Sequence, residues 1–281
     1  PGTDPLNNLS MDKIKSLAKR IGYPVILKSS GGGGGRGIRV VLTENELEEN
    51  FQSCKREAKA FFNNDEVFME KYVEKPRHIE FQILGDNYGN IIHLCERDCC
   101  IQRRHQKVIE IAPCPTMSDD LRKRMGVAAV AAAKAVGYTN AGTIEFLLDD
   151  YDHFYFMEMN TRIQVEHGVT EEVTGVDLIA RQIRVAAGEI LDLEQSEIKA
   201  RGTAIEVRIT AENAQKGFAP SPGKITGYFP ALGPSVRVDT HIYANYEIPP
   251  FYDSLLAKLI VKGSSYDLAV SKLERELDEF K

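Results

Sequence analysis

The sequence VILKSSGGGGGRGIRVV, residues 25–41, places a run of glycines between two apolar segments. Apolar residues on both sides of the glycines predict two strands, and the loop between them can lay backbone N–H groups against phosphates while Arg36 adds charge. The run contains G-x-G-x-x-G, but a dinucleotide-binding fold needs a helix directly after the glycines, and residues 38–42 have the pattern of a strand. No Gly-Lys-Ser/Thr closes the run, so it is not a P-loop. The alternative is a flexible linker, which rarely joins two apolar strands so closely.

Outward from this loop, the hydrophobic pattern predicts an α/β (α+β) fold in three parts. Two segments with helical periodicity come first, and Thr43 with Glu46 predicts a capping box for the second helix. The predicted helices are residues 11–21, 44–62, 119–136 and 168–188, and the further strands are 67–73, 79–84, 91–95, 142–148 and 154–159. Short strands separated by Pro and Gly follow. The three predicted parts are residues 1–73, 74–190 and 202–281.

The composition excludes several classes of protein. The 281 residues include 35 Lys and Arg against 41 Asp and Glu, and the net charge of −6 argues against binding nucleic acid. No apolar run reaches the roughly 18 residues that a membrane span needs. Five cysteines, three of them crowded at Cys95, Cys99 and Cys100, favour reduced thiols and hence a cytoplasmic protein. A metal site in this cluster is the alternative, although zinc sites normally show C-x-x-C pairs.

Two carboxylates face each other across a predicted hairpin. Period-2 alternation puts Glu158 and Asn160 on one face of its second strand, and it places Phe154 and Phe156 on that face too. A turn midway between the strands sets Glu145 opposite Glu158. Like charges directly opposed destabilise a hairpin, so we expect a cation between them, and two carboxylates with an amide oxygen suit Mg²⁺ bound with phosphates. A solvent-facing pair on an edge hairpin remains an open alternative.

Two polar clusters interrupt the apolar pattern: QRRHQK, which begins at Gln102, and RIQVEH, which begins at Arg162. Glu166 near Arg162 and Lys107 would make a pocket for a small anion, with Glu166 as a base. Alternatively, both clusters are solvated faces. Lys28 ends a strand just before the glycine loop, where it can reach a phosphate or can be an exposed lysine at a strand end.

Six segments together carry a family resemblance. They are VILKSSGGGGGRGIRVV, MEKYVEKPRHIE, ERDCCIQRRHQK, GTIEFL, FMEMNTRIQVEH and IEVRITAEN, in this order along nearly the whole chain. They closely resemble the biotin carboxylase family of ATP-grasp enzymes. The resemblance implies an ATP-grasp fold. Residues 1–73 would form a small glycine-loop lid subdomain, 74–190 a body with the metal and bicarbonate site, and 202–281 a truncated, β-rich C-terminal domain.

The resemblance also implies a reaction, that of an ATP-dependent ligase forming a C–N bond. ATP phosphorylates bicarbonate to carboxyphosphate, which breaks down to CO₂, and N1′ of carrier-linked biotin captures the CO₂. PSPGKITGYF, residues 220–229, resembles the stand-alone subunit of bacterial acetyl-CoA carboxylase, which serves fatty-acid synthesis. The alternatives are the biotin carboxylase part of a multidomain pyruvate or acyl-CoA carboxylase and, for this chain alone, a Mg-ATP-binding module without turnover.

Roles in the family fall on matching positions of this sequence. The resemblance implies that ATP is held by Lys28, Gly34, Gly35, Glu70, Lys71, Tyr72, Val73, His78, Gln102, His105 and Leu147, with Glu145 and Glu158. It implies that Mg²⁺ or Mn²⁺ is held by Glu145, Glu158 and Asn160, and bicarbonate by Lys107, Arg162, Gln164 and the backbone of Val165. The catalytic residues would be Lys107, Arg162, Glu166 as the base and Arg208, which would bind biotin and stabilise its enolate.

The resemblance further implies partners and a longer parent. A homodimer would work with a biotin carboxyl carrier protein and a carboxyltransferase in the cytoplasm. A complete N-terminal domain of the family would precede Pro1, and the end of the C-terminal domain would follow Lys281. We therefore expect a fragment that lacks a further ATP-contacting lysine and part of the biotin site, and that is inactive by itself.

Overall fold

The computed structural model describes residues 1–30 and 37–281. These residues divide into two compact units, Pro1–Lys75 and Pro76–Lys281. The predicted glycine loop, with Gly34, Gly35 and Arg36, lies outside the described residues. Among the helices that are described, none combines the length and the apolar character needed to cross a membrane.

The first unit is a three-stranded antiparallel sheet packed against two helices. Its elements are α1 (Met11–Ile21), β1 (Val25–Ser29), β2 (Ile38–Val41), α2 (Glu44–Phe62) and β3 (Val67–Lys71), and the strand order is β2-β1-β3. Alternate residues of β1 are buried, and Val25 and Leu27 join Ile14 and Leu47 of the helices in one core. The two strands predicted on either side of the glycine run are therefore confirmed.

The start of α2 differs from its prediction. Thr43 is the N-cap residue, but its side chain makes no capping hydrogen bond. The carboxylate of Glu46 accepts from the backbone N–H of Leu42 at 3.2 Å, one residue earlier than a capping box requires. The predicted capping box is therefore wrong, whereas the bounds of the helix match.

The second unit is built on one large antiparallel sheet. Its longer elements are β4 (Arg77–Gly85), β5 (Ile91–Arg103), β6 (Gln106–Ala112), α3 (Asp119–Ala135), β7 (Asn140–Leu148), β8 (Phe154–Asn160), α4 (His167–Thr174), α5 (Leu178–Ala186), β9 (Thr203–Thr210), β13 (Val236–Thr240), β15 (Leu255–Gly263) and α6 (Tyr266–Glu279). Two short pairs join β10 (Glu212–Asn213) to β11 (Ala219–Pro220) and β12 (Gly223–Lys224) to β14 (Glu247–Ile248). The eight-stranded sheet has the order β13-β15-β9-β6-β5-β4-β7-β8. Because β9 pairs with β6, the same sheet contains strands from before and after residue 202. The predicted division of the chain into three parts stays a prediction.

The strand β5 is much longer than the predicted 91–95. It runs to Arg103, and a two-residue turn of Arg104 and His105, both at positive φ, returns the chain to Gln106 in β6. Such a turn matches the twist of a hairpin. The polar cluster QRRHQK thus forms the tip of a hairpin. The full length of β5 was not predicted because β5 carries buried charged residues, whereas the prediction relied on an apolar pattern.

A bulge between β7 and β8 corrects the predicted faces of this hairpin. Glu145 pairs with Glu158 as predicted, but Phe146 pairs with Phe156, so Met157 is one extra residue. The extra residue reverses the alternation, and Phe154 packs edge-on against the core residue Phe146, with ring centroids 5.5 Å apart. The prediction that Phe154 and Phe156 share a face with Glu158 is therefore wrong.

The two faces of the sheet at β4 and β7 differ in character. Alternate residues of both strands, among them Phe81 and Phe146, form an apolar core with α3. The opposite face carries Glu80, Gln82 and Glu145, which are also buried. A buried polar face is stable only if its groups are paired, so this face is where a functional site is expected.

Two glycines at positive φ give a test of the fold. A Cβ on Gly202 (φ 75°), just before β9, would lie 2.3 Å from the carbonyl oxygen of Gly263, whereas a Cβ on Gly188 (φ 90°) would meet no atom within 4 Å. We expect Gly188→Ala to lower the free energy of unfolding by about 1 kcal/mol, from backbone strain alone. Gly202→Ala should cost roughly 2 kcal/mol more, because the Gly263 backbone must move. Urea denaturation of both variants would measure this, and equal losses would contradict the close packing of β9 on β15.

Candidate functional site

One row of charged side chains crosses four adjacent strands of the polar face. Arg97 of β5 pairs with Glu80 of β4, which pairs with Glu145 of β7, which pairs with Glu158 of β8. Opposed like charges destabilise a sheet, and Glu80 and Glu145 are also removed from water. The row can form only if cations approach its buried carboxylates.

Lys107 is the first of these cations. Its Nζ lies 2.5 Å from Oε2 of Glu80, 3.1 Å from Oε1 of Glu145 and 2.6 Å from Oε1 of Glu166. Burial disfavours the charged ammonium, but the carboxylates around it outweigh burial and raise the pKa of Lys107. The tip of the β5–β6 hairpin thus delivers a permanent positive charge to the row.

Arg97 is the second cation, and sequence analysis did not single it out. Its side chain is fully buried, and each of its five N–H groups has an acceptor. Nε donates to Glu80, Nη1 to Gln82 and Thr170, and Nη2 to Thr143 and Gln164. Arg97 therefore fixes the side-chain amide of Gln164, whose Nε2 is left to donate to Glu145 at 2.9 Å.

Glu145 is the most heavily hydrogen-bonded carboxylate of the row. Its Oε1 accepts from Asn160 at 3.0 Å and from Gln164, and its Oε2 lies 3.0 Å from Nε2 of His78. Burial alone would raise its pKa, but His78, Lys107 and Gln164 lower the pKa of Glu145 to about 2. Glu145 is therefore ionised at any pH where the protein works.

The neighbouring groups fit a hard divalent cation. The side-chain nitrogen of Asn160 also lies 3.3 Å from Oε1 of the exposed Glu158, so it spans the two carboxylates. A half-turn of that amide would place its oxygen between Glu145 and Glu158. Two carboxylates and an amide oxygen form the all-oxygen set that Mg²⁺ prefers.

Glu166 links the row to a second charged group further along the sheet. Its Oε1 contacts Lys107, and its Oε2 lies 3.2 Å from Nη2 of Arg208 on β9. Arg208 in turn donates from Nε to Glu110 of β6 at 2.7 Å. Lys258 of β15 donates to the backbone carbonyl of Val165 at 2.8 Å. The segment before α4 is thus held by cations from three strands, β6, β9 and β15.

Two fully buried carboxyl groups lie beneath Arg208. Glu110 and Glu206 are directly opposed on β6 and β9. Burial raises the pKa of Glu110 to about 7, although Arg208 opposes the rise, and burial raises that of Glu206 well above its ordinary value. Neither oxygen of Glu206 has a hydrogen-bond partner among the described residues. Burial without a donor therefore favours the protonated form of Glu206.

Glu145, Glu166 and Arg208 lie in the wall of a cavity of about 580 Å³. Every site residue that was predicted within the second unit lines it: His78, Gln102, His105, Lys107, Glu145, Leu147, Glu158, Asn160, Arg162, Gln164, Val165, Glu166 and Arg208. A second cavity of about 550 Å³ shares Val165 and Arg208 with the first and is lined by His241, Tyr246 and Tyr252. The structure thus gathers the predicted residues, while their individual roles stay predictions.

The predicted site residues of the first unit lie on two neighbouring strands. Lys28 of β1 and Glu70 of β3 are joined by an ion pair of 2.5 Å. Lys71 is used differently, because its Nζ donates to the carbonyls of Gly22 and Tyr23 at 2.9 Å. Tyr72 and Val73, the two other predicted residues of this segment, follow β3 directly.

The cysteines are free thiols, as predicted. The crowded cluster is divided by the strand, because Cys99 is buried and Cys100 is exposed. Ligand atoms of Cys99, Glu80 and Glu166 lie within 4.8 Å of one another, which is a different grouping from the alternative of a cysteine cluster. Burial and the neighbouring Glu80 raise the pKa of Cys99 well above its ordinary value. A protonated thiol is a poor metal ligand, so the reduced thiol is favoured.

Two protein-family models match the chain. "Carbamoyl-phosphate synthase L chain, ATP binding domain" matches residues 1–194, and "Biotin carboxylase C-terminal domain" matches residues 206–281. The first match contains the carboxylate row, and the second contains Arg208.

Similar proteins of known name cover the whole chain. The biotin carboxylase of Nostoc sp. is 56% identical over 279 residues, which are 99% of this chain and 62% of that protein. A pyruvate carboxylase subunit of Methanothermobacter thermautotrophicus is 55% identical over 280 residues, which are 100% of this chain and 57% of that protein. The chain thus spans about three fifths of the length of these relatives.

A solved structure has the same fold. The biotin carboxylase–β,γ-ATP complex from Campylobacter jejuni matches with a TM-score of 0.92 and 50% identity, covering 100% of this chain and 62% of that one. The biotin carboxylase domain dimer of Hydrogenobacter thermophilus 2-oxoglutarate carboxylase, with MgADP, ADP and bicarbonate, matches at 0.90 and 50%, with the same coverage. The predicted ATP-grasp fold of mixed helix and sheet is thereby confirmed.

The buried Glu206 predicts an unusual dependence of stability on pH. Above about pH 4.5 the unfolded chain loses a proton that native Glu206 keeps, so this group lowers the stability of the native state increasingly as the pH rises towards its raised pKa. Gln cannot ionise in either state. Glu206→Gln should therefore match the wild-type melting temperature near about pH 5 and exceed it by a few degrees near about pH 8.

Thermal unfolding across this range, with the exposed Glu274→Gln as control, measures the effect. Glu274→Gln should show no growing difference, because the side chain of Glu274 is exposed to water in the native as in the unfolded state. A difference for Glu206→Gln that stays constant or shrinks with pH would show that native Glu206 is ionised.

Proposed function

This chain belongs to the biotin carboxylase family, and we propose that the full-length protein uses ATP and bicarbonate to carboxylate biotin. The observation that carries the proposal is Glu166, a buried carboxylate held between Lys107 and Arg208 beside an acidic row that can hold a metal. A base, its cationic partners and a site for Mg²⁺ with phosphates are what carboxyphosphate chemistry requires.

The anion site supplies the first step. Lys107 and Arg162 attract bicarbonate, Gln164 and the backbone of Val165 orient it, and Glu166 takes the proton from its hydroxyl group. The freed oxygen then attacks the γ-phosphorus of ATP, and ADP leaves. Because Lys107 already serves three carboxylates, the incoming bicarbonate competes with Glu166 for one of its N–H groups and so frees the base.

The second step needs charge stabilisation at biotin. Carboxyphosphate breaks its C–O bond to give CO₂ and phosphate, the phosphate takes the proton from N1′ of biotin, and N1′ then attacks CO₂ to form the C–N bond. Arg208 stabilises the negative charge that develops on the ureido oxygen as biotin becomes an enolate. The cavity that Arg208 shares with Val165 and Tyr252 gives biotin room beside the anion site.

The proposal also includes a metal site. Glu145, Glu158 and Asn160 would hold Mg²⁺ or Mn²⁺, which would neutralise charge on the transferring phosphoryl group. ATP itself would be held by the residues that the family resemblance implies: Lys28, Gly34, Gly35, Glu70, Lys71, Tyr72, Val73, His78, Gln102, His105 and Leu147.

The partners belong to the proposal as well. Biotin is attached to a carrier protein, a carboxyltransferase uses the product, and the enzyme works as a homodimer. The Hydrogenobacter thermophilus relative, a biotin carboxylase domain, forms a dimer. A stand-alone acetyl-CoA carboxylase subunit is our first choice, and the Methanothermobacter thermautotrophicus relative supports the alternative of a pyruvate carboxylase. A cytoplasmic location stays a prediction, since the Populus trichocarpa relatives are named chloroplastic.

Turnover tests the reaction class. In the full-length protein we expect bicarbonate-dependent release of ADP that free biotin stimulates. Glu158→Gln should lower this rate by about 100-fold or more, because it removes an anionic ligand from the phosphoryl-transfer site. The exposed Glu274→Gln, on α6, serves as control. ADP release that ignores biotin would point to another ligase that forms an acyl phosphate.

Calorimetric titration tests the nucleotide site in this chain alone. Mg-ATP should bind the wild type, and Glu145→Ala should weaken binding by about tenfold or more, because Glu145 is the ionised centre of the row. ATP without metal should distinguish the two proteins much less. Equal affinities for Mg-ATP would move the metal site away from Glu145. No binding by a folded wild-type chain would leave it without the proposed nucleotide site.

A further inference from the structure

The guanidinium of Arg208 is gripped on one side and free on the other. Its Nε and Nη2 both contact Oε1 of Glu110, at 2.7 and 2.5 Å, and Nη2 also lies 3.2 Å from Oε2 of Glu166. Its Nη1 has no hydrogen-bond partner within the described part of the chain. Two N–H groups of the free nitrogen thus remain for an anionic oxygen in the cavity that Arg208 lines.

Glu110 is placed to hold Arg208 still. It is fully buried in β6, and its register partner on β9 is Glu206, two residues before Arg208 on the same face. The strand β9 is itself fixed between β6 and β15, where Lys258 pairs with Arg208. The contact therefore joins two side chains on paired central strands rather than two mobile surface groups.

The position of Glu110 has no evident structural reason. Its Oε2 is buried with no partner in the described structure, so the protein carries the cost of a half-satisfied acid. An apolar side chain would fill the same space at lower cost. Such costs concentrate where a side chain serves the reaction.

We propose that Glu110 is a positioning residue for the carboxylation of biotin. It fixes the guanidinium of Arg208 with Nη1 directed to the substrate oxygen, and it competes with Glu166 for the same guanidinium. Without it, Arg208 turns towards Glu166, the other carboxylate within its reach. The inference rests on the proposed function, because it assigns Glu110 to the biotin step of that reaction.

Glu206 provides a matched control for Glu110. The two residues are the same amino acid, directly opposed and equally buried, but no donor contacts Glu206 in the described residues. A carboxyl group without a donor cannot orient a cation. Glu→Gln at both positions therefore makes the same chemical change in the same layer of the sheet, and only one of them should affect Arg208.

The experiment is a double-mutant cycle in the full-length protein. Glu110→Gln should lower the biotin-dependent kcat by about tenfold and leave the biotin-independent ATP hydrolysis within about twofold of wild type, because only the biotin step needs an oriented Arg208. Glu206→Gln should leave both rates within about twofold. In an Arg208→Met background, adding Glu110→Gln should change the biotin-dependent rate by less than about twofold, because the group on which Glu110 acts is gone.

Each result decides for or against the inference. A tenfold loss that persists in the Arg208→Met background, or equal losses from Glu110→Gln and Glu206→Gln, would overturn it in favour of a general packing effect. If Glu110→Gln does not fold, Glu110→Asp keeps the charge but shortens the side chain, and it should show the same selective loss; an unchanged rate overturns the inference. A wild type without biotin-dependent turnover would instead refute the proposed function, a separate outcome.

Discussion

The pairing of buried carboxylates with Lys107 and Arg97 is the constraint on which the second unit depends. Glu80 and Glu145 lie side by side in the centre of the sheet, where ionised groups are costly unless paired and hydrogen-bonded. Lys107 contacts both, and Arg97 places one N–H on Glu80 while its other four hold the surrounding polar side chains. The fold of the sheet and the chemistry of its polar face therefore use the same contacts.

This arrangement also places cationic side chains beside an acidic row. The cations come from β5, β6 and β9, and the carboxylates come mainly from β4, β7 and β8. The cavity lies where the two sets meet, so its lining combines the cations Lys107 and Arg208 with the carboxylate of Glu158. The separation is a consequence of strand order, which no single segment of the sequence contains.

The sequence predicted the helices well because their apolar periodicity is strong, as for α1, whose bounds match those predicted. It predicted that Glu145 faces Glu158 because a short hairpin limits the possible register. It failed where a polar residue is buried. Arg97 interrupts an apolar pattern, so β5 was cut short, and its five partners come from segments up to 73 residues away. The two polar clusters predicted that Glu166 lies near Lys107, and the 2.6 Å contact between them confirms it, whereas only the resemblance singled out Arg208.

The bulge at Met157 sets the phase of the strand that carries the acidic edge of the site. Side chains alternate between the two faces of a sheet, so each face carries every second residue of a strand. Met157 adds one residue, which reverses the alternation. Phe156, before it, therefore lies on the face of the apolar core, and Glu158, after it, lies on the polar face. Without the bulge at Met157, the same strand would direct Glu158 towards the apolar core. The position of Glu158 on the polar face thus depends on the bulge of one extra residue at Met157, independently of the chemistry of its side chain.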